Sequence, residues 1–442
     1  MFDWLKMSAA KLGRSIGEGA IDPVALTQAF LGAIDSHDHG ARIYVEVTRD
    51  RALAEAEAAA ERARAGARLS ALDGVPISWK DLFDSAHTPT QAGSALLKGR
   101  TPDRDATVLK TASQLGLVCL GKTHMSELAF SGLGYNPVTE TPPCINDLNA
   151  VPGGSSSGTA TSVAFGLAAI GIGSDTGGSV RIPAAWNDLV GLKTTWGLLP
   201  DDGVVPLCKK FDTVGPICRT VEDAALSLGI LEGKLAVDLA GSTLKGKRFA
   251  ILETAAFDDV REAPLKGFDT AIERFKDAGA EIERFQSPEV ARALSLSAPL
   301  FTAEAYGLWR DVIEANPDLM FREILARFRS GSGFSGPDYV SAWAELEDLR
   351  KRWHAQVARF DAVLCPTAPI LPPNLKRLEN DHDYYLTENL LALRNTRIGN
   401  LLGLCAISLP TGIPSCGVMM MGTPFGEQRL LRLAHAAERA LV

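Results

Sequence analysis

Two glycine- and serine-rich turns, Gly153–Gly158 and Gly173–Ser179, lie close together within Val151–Lys193, VPGGSSSGTATSVAFGLAAIGIGSDTGGSVRIPAAWNDLVGLK. Glycine carries no Cβ and tolerates positive φ, so such turns bring backbone N–H groups up to a ligand. The second turn ends Gly177-Gly178-Ser179, a hydroxyl directly behind two residues that aim amides at one point. That arrangement supplies a nucleophile beside an oxyanion site, the equipment of a serine-dependent hydrolase. A base is then needed. Lys80 closes an apolar segment, Leu72–Asp81 (LDGVPISWKD), and is flanked by Trp79 and Leu82. Either its stem lies on apolar surface with the ammonium in water, or the whole side chain is buried and its lowered pKa makes it a base near neutrality. Taken alone, the first is the ordinary account of a lysine.

Three serine arrangements compete. Gly154–Gly158 matches the G-x-S-x-G elbow of an α/β-hydrolase-type esterase, but an elbow follows a strand, and Asn146–Pro152 reads as a Pro/Asn loop. Its histidine would come from His354, His382 or His435, which sit in polar helical or loop contexts. A phosphate-binding loop needs a lysine that follows neither turn. An S-x-x-K motif occurs only as Ser8-Ala9-Ala10-Lys11, without partner motifs. The third arrangement needs no histidine: neutral Lys80 takes a proton from Ser179 through a bridging serine of the first turn. His37-Asp38-His39 has no third ligand nearby and reads as a solvated loop, and no metal or other cofactor is expected.

The elements that must hold these groups follow an α/β rhythm. Up to about Ala67 the pattern is helical, with Asp22-Pro23 starting one helix and Arg51–Ala67 forming a surface one. Then come the strand ending at Lys80, a helix and strand within Asp105–Phe130, and a buried helix and strand over Ser162–Ile172. Strand and loop material follows over Leu189–Leu199 and Val204–Pro216, and Thr220 caps an amphipathic helix to Leu231. Beyond Gly233, Lys247–Leu252, Pro264–Ala278 and Glu281–Phe285 read as strand, helix and strand, and Ser297–Arg359 is mostly helical. Its aromatics, Tyr306, Trp309, Phe334, Tyr339, Trp343 and Trp353, have the spacing of helix core. Ser330–Pro337 reads as a flexible linker or lid hinge. The strands DAVLCPTAP and CAISLP and a last helix complete the chain.

Composition bounds the rest. A net charge of −8 with mixed signs argues against sequence-independent nucleic-acid binding. Seven cysteines without a CxxC pair suit free thiols in a reducing, cytoplasmic setting. No apolar run reaches the length of a membrane span, and the N-terminus lacks a signal-peptide core.

The segments GVPISWKD, PGGSSSG and GIGSDTGGSVRIPA followed by VGLK resemble the amidase signature family. The similarity runs from about Leu72 to Leu228 and resumes more weakly at CPTAP and RNTRIGNLLGLCAISLP. The resemblance implies an α/β fold, a single large α/β/α domain around a mixed β-sheet spanning residues 1–442. Within it, 1–70 is an N-terminal helical segment and 71–232 the catalytic core. Residues 233–355 form a peripheral α/β and helical substrate-side region, and 356–442 return to the core sheet. It implies a Lys80, Ser155, Ser179 triad, with Ser155 at a cis peptide bond and Ser179 attacking a small-molecule amide. Backbone N–H groups of Thr176, Gly177, Gly178 and Ser179 would hold the oxyanion. Met125, Ser131, Gly132, Leu133 and Tyr135 border the pocket by analogy, with the helical region around Tyr306 and Phe334 closing over it. Few of those are charged, which suggests an uncharged or partly apolar acyl group.

Ser156, Ser157 and Ser174 are expected to satisfy turn backbone, and Asp175 and Arg181 to brace the loop. The chain departs from the family at Trp186-Asn187-Asp188, where Cys-Gly is usual, and at Ser157, where glycine is common. One branch is the catalytic component of a glutamine-dependent aminoacyl-tRNA amidotransferase, which works with partner subunits. That branch tends to be longer and to carry Gln where this chain has Ile182, which favours a free-standing amidase. Homodimers are common in the family.

Overall fold

A computed structural model describes residues 4–442. Its strands are β1 (Tyr44–Val47), β2 (Pro76–Lys80), β3 (Val118–Thr123), β4 (Ile170–Ser174), β5 (Val190–Lys193), β6 (Val214–Cys218), β7 (Arg248–Leu252), β8 (Glu281–Phe285), β9 (Ala362–Pro366), β10 (Ala406–Pro410) and β11 (Gly417–Met421). All belong to one mixed sheet, ordered β1-β3-β2-β4-β6-β5-β10-β11-β9-β7-β8. The inner strands β2, β3 and β4 are buried along their whole length. That is why they read as apolar runs rather than as alternating patterns. The two end strands, β1 and β8, are half-exposed.

The site depends on one feature of this topology. β2 runs parallel to both its neighbours, with Ile77 opposite Ile170 and Trp79 opposite Ile172. Parallel strands present their carboxyl ends at the same edge of a sheet, where α/β proteins place ligands. Lys80, the last residue of β2, therefore lies beside the end of β4, from which the second Gly/Ser turn departs. The helix Ser157–Ala164 carries the first turn to the same edge. Gly173 allows the approach: a Cβ there would sit 2.6 Å from Ser156 Oγ.

One apolar cluster includes residues from Ala9 to Leu441 and joins the sheet to helices from both ends of the chain. Asp22 caps the helix Pro23–Ser36 by accepting from the Ala25 amide at 2.9 Å. Thr220 caps Val221–Glu232 in the same way. This second helix is buried nearly all round, not amphipathic, because it packs on both the last helix and the sheet.

Other expectations are corrected. The N-terminal stretch read as helical contains β1, and the chain after CAISLP forms β11, which completes a hairpin with β10. The expected linker at 330–337 is ordered. Ser330–Gly333 is a single 3-10 turn, and Ser335 starts the helix Gly336–Val357 with a capping box to Asp338. The seven cysteines are free and buried. Among the described residues, no helix is long and apolar enough to cross a membrane.

Candidate active site

Lys80 is fully buried. Its Nζ donates to Ser155 Oγ at 2.7 Å and to Ser174 Oγ at 2.8 Å, and no carboxylate contacts it. Burial pushes its pKa down to about 7, against the opposing pull of Asp175 and Asp212. The snorkelling account of this lysine is thereby excluded. The peptide bond Gly154–Ser155 is cis. Ser156 and Ser157 satisfy turn backbone as expected, Ser156 Oγ reaching the Ser174 carbonyl and Ser157 Oγ that of His124. Ser174 does not have that role; it is the lysine's second hydroxyl partner.

Ser179 lines a cavity of about 510 Å³ together with Thr176 and Gly177. The turn between them is braced by Asp175, which is fully buried. Its carboxylate accepts from the amides of Gly178 (2.8 Å) and Val180 (3.1 Å), from Arg181 Nε (3.0 Å) and Nη2 (2.8 Å), and from Asn400 Nδ2 (2.9 Å). Burial alone would raise this carboxyl, but the charge and hydrogen bonds of Arg181, with Lys193 behind, hold it below the usual range. The bracing corrects one expectation. The Gly178 N–H is engaged by Asp175 and is not offered to the cavity. Among the described residues the N–H groups of Thr176, Gly177 and Ser179 have no protein acceptor, and these three residues face the cavity. Gly178 has φ of 140°, and a Cβ on it would lie 2.1 Å from Thr396 Oγ1. Only glycine fits there.

Two groups at the turn carried no signal in the sequence. Asp212 accepts from Thr176 Oγ1 at 2.5 Å and from the amides of Leu207 and Cys208. Thr396, on the helix His382–Leu401, donates to the Gly177 carbonyl at 2.7 Å.

Of the residues expected to border the pocket, only Ser131 does so. Its hydroxyl donates to Asn389 Oδ1 at 3.2 Å and accepts from Tyr385 Oη at 3.1 Å. The Met125 side chain is buried in the core, and its carbonyl accepts from Asn136. Gly132 is set back against Leu393, where a Cβ would meet Leu393 Cγ at 2.7 Å. Leu133 and Tyr135 pack in a separate apolar cluster with Trp186 and Tyr385. The helical region beyond Ser297 does border the cavity, through Phe301, Ile324 and Arg327. Tyr306 and Phe334 instead line a different surface depression.

The Trp186-Asn187-Asp188 departure supports the first turn from below. Trp186 is buried, with its ring edge against Gly153, and donates to the Ile370 carbonyl at 3.1 Å. Asn187 Nδ2 reaches the Pro152 and Pro183 carbonyls, both at 2.8 Å. Asp188 accepts from Asn146 at 2.7 Å and from the Ser415 amide at 2.8 Å. His37 and His39 pack on the Phe165 ring. Among the described residues, no group of three or more His, Cys, Asp or Glu is placed to hold a metal ion.

This geometry can be set beside known proteins. Residues 25–431 match the family model described as Amidase. The chain belongs to the amidase family. This amidase is 34% identical to 2-amino-5-chloromuconic acid deaminase of Comamonas testosteroni, over 84% of its own length and 83% of the relative's. It is 31% identical to the A-type subunit of glutamyl-tRNA(Gln) amidotransferase from Thermobifida fusca, over 100% and 97%. Its fold matches the crystal structure of peptide amidase from Stenotrophomonas maltophilia with a TM-score of 0.83 at 27% identity, covering 99% and 98% of the two chains. Another crystal structure, of an amidase, matches with a TM-score of 0.88 at 26% identity, covering 99% and 100%. The amidase is accordingly an enzyme that hydrolyses C–N amide bonds.

Proposed function

We propose that this enzyme hydrolyses a small carboxamide to a carboxylate and ammonia or an amine through an acyl-enzyme on Ser179, with Ser155 and Lys80 as the proton relay. The observation that carries this reading is the contact of Lys80 Nζ with Ser155 Oγ in a buried pocket without a carboxylate partner. A lysine so placed is uncharged over much of the neutral range and can accept a proton. Ser179 Oγ attacks the carbonyl carbon, its proton passing to Ser155 Oγ as the Ser155 proton passes to Lys80. The N–H groups of Thr176, Gly177 and Ser179 hold the oxyanion. As the intermediate collapses, the proton returns through Ser155 to the leaving nitrogen, the C–N bond breaks and an ester remains on Ser179. Water, activated by the same relay, releases the acid. No hydrogen bond joins the two serine hydroxyls in this structure; the relay closes with substrate bound, as apo hydrogen bonds often do.

The test is ammonia release from a panel of primary carboxamides by the purified chain. Activity is expected from the wild type, with losses of about 10³-fold or more in Ser179→Ala, Ser155→Ala and Lys80→Ala. Full activity in Ser179→Ala would overturn the assignment. A second reading, the catalytic component of an aminoacyl-tRNA amidotransferase, is favoured by the full-length similarity to such a protein. It predicts that turnover depends on partner subunits, whereas the free-standing reading predicts turnover by this chain alone.

A further inference from the structure

The cavity beside Ser179 is walled mainly by apolar side chains, among them Leu207, Leu294, Phe301, Leu390 and Leu393. Into this surface project two arginines, Arg327 from the helix Arg322–Arg329 and Arg397 from the helix His382–Leu401. Arg327 is anchored. Its Nη1 donates to the Phe130 carbonyl at 2.9 Å, and its guanidinium lies 4.5 Å above the Phe130 ring. Arg397 is not. Its stem leans on the oxyanion turn, with Cγ 3.5 Å from where a Cβ of Gly177 would be. Its neighbour Thr396 ties it to that turn, yet among the described residues no protein acceptor takes any of its guanidinium N–H groups.

The other charged groups at the cavity offer no counter-ion. Among the described residues Glu323 is the only carboxylate lining it, and it is engaged by Arg322 Nε at 2.7 Å and His382 Nδ1 at 2.9 Å. Burial and the nearby charge of Arg327 push the Arg397 guanidinium down to about 9, and burial pushes Arg327 down to about 10. Two adjacent, partly desolvated cations without an anion are costly to hold. The cost is recovered when an anion arrives, and the planar guanidinium fork fits a carboxylate with two parallel hydrogen bonds.

We infer that Arg397, with Arg327 beside it, reads a second carboxylate on the substrate, so that the enzyme acts on monoamides of dicarboxylic acids. The apolar wall takes the chain between the two ends, and the scissile amide lies at Ser179. This departs from the expectation of an uncharged or partly apolar acyl group, which rested on Met125, Ser131, Gly132, Leu133 and Tyr135 and on the region around Tyr306 and Phe334; of the named residues only Ser131 lines the cavity. It rests on the reading of Ser179 as the nucleophile.

The experiment measures protection of Ser179 from a neutral fluorophosphonate. Glutarate and adipate are compared with glutaramide and adipamide in the wild type, Arg397→Gln and Arg397→Lys. The dicarboxylates are expected to half-protect wild-type Ser179 at concentrations at least about tenfold below those of the diamides. Arg397→Gln is expected to collapse that ratio toward one, and Arg397→Lys to keep part of it. Diamides that protect the wild type as well as the diacids overturn the inference, and this comparison needs no variant. So does a ratio untouched by Arg397→Gln in protein whose near-UV circular dichroism is native. Absence of labelling at Ser179 without any competitor would instead count against the nucleophile assignment, which keeps the two failures apart.

Discussion

At the scale of single residues the proposed chemistry turns on the charge state of Lys80. Water solvates an ammonium far better than a pocket of two hydroxyls does, so burial moves its pKa from 10.5 to about 7. In the proposed relay the uncharged amine is the working form. The enzyme therefore loses activity as pH falls through that value, and kcat/KM is predicted to rise along a one-proton limb with a midpoint near 7. A limb near 10, measured by initial rates on a carboxamide, would contradict it. Lys80→Met removes the base but fills the space with an apolar chain. It is expected to lower kcat/KM by about 10³-fold or more while leaving the urea midpoint equal or higher, since a desolvated amine contributes little to stability. Lys80, Ser179 and the serines of the first turn stood out because each lies in a segment whose local pattern is unusual, a lysine closing an apolar run and hydroxyls among glycines; the choice of Ser155 among them rested on the family resemblance alone. Asp212, Thr396 and Arg397 did not. Each reaches the site from a segment whose own sequence gives an ordinary polar residue no purpose, and only the sheet and its helices bring them together.

At the scale of elements, the turn from Asp175 to Ser179 holds its shape because one carboxylate collects five donors, four from residues 178–181 and one from Asn400. Asp175→Asn leaves Arg181 buried without its partner and is predicted to cost about 3–5 kcal/mol in urea unfolding at neutral pH. Because the folded state holds this carboxyl below its ordinary value of 3.8, the unfolded chain binds the proton more readily. The stabilisation is present above pH 3.8 and is lost as pH falls below it, so the gap between wild type and Asp175→Asn should narrow on acidification. A gap independent of pH between 7 and 3 would count against this bracing. Gly178→Ala drives a methyl into Thr396 Oγ1 at a φ that alanine rarely adopts. It is expected to reduce kcat/KM by at least about 10²-fold, because it displaces the Ser179 and Gly177 amides together; a near-wild-type rate would show that the turn can yield. The sequence showed the strands that carry the chemistry, since buried parallel strands are apolar throughout. It did not show β1, four residues set among helices, nor β11, whose pairing with β10 depends on a short turn that carries a proline.

At the scale of the whole molecule, one sheet joins the first and last thirds of the chain around the site. The β4 turn is held by Asn400 and Thr396, and β5 pairs directly with β10. With one apolar cluster reaching from Ala9 to Leu441, the molecule is predicted to unfold as one unit. Calorimetry should show a single transition that coincides with loss of tryptophan ellipticity, whereas two resolved transitions would mean that the segment 233–355 is independent. Trp186, fully buried under the first turn, packs in the smaller apolar cluster with Leu133 and Tyr385.

The most direct test of the central claim is peptide mapping by mass spectrometry after reaction with a fluorophosphonate, for the wild type, Ser179→Ala and Lys80→Ala. A serine nucleophile driven by the lysine relay predicts a single adduct on the peptide containing Ser179, absent in Ser179→Ala and formed at least about 10²-fold more slowly in Lys80→Ala. An adduct on Ser156 that depends on a histidine, or one on Ser179 formed at full rate without Lys80, would contradict it.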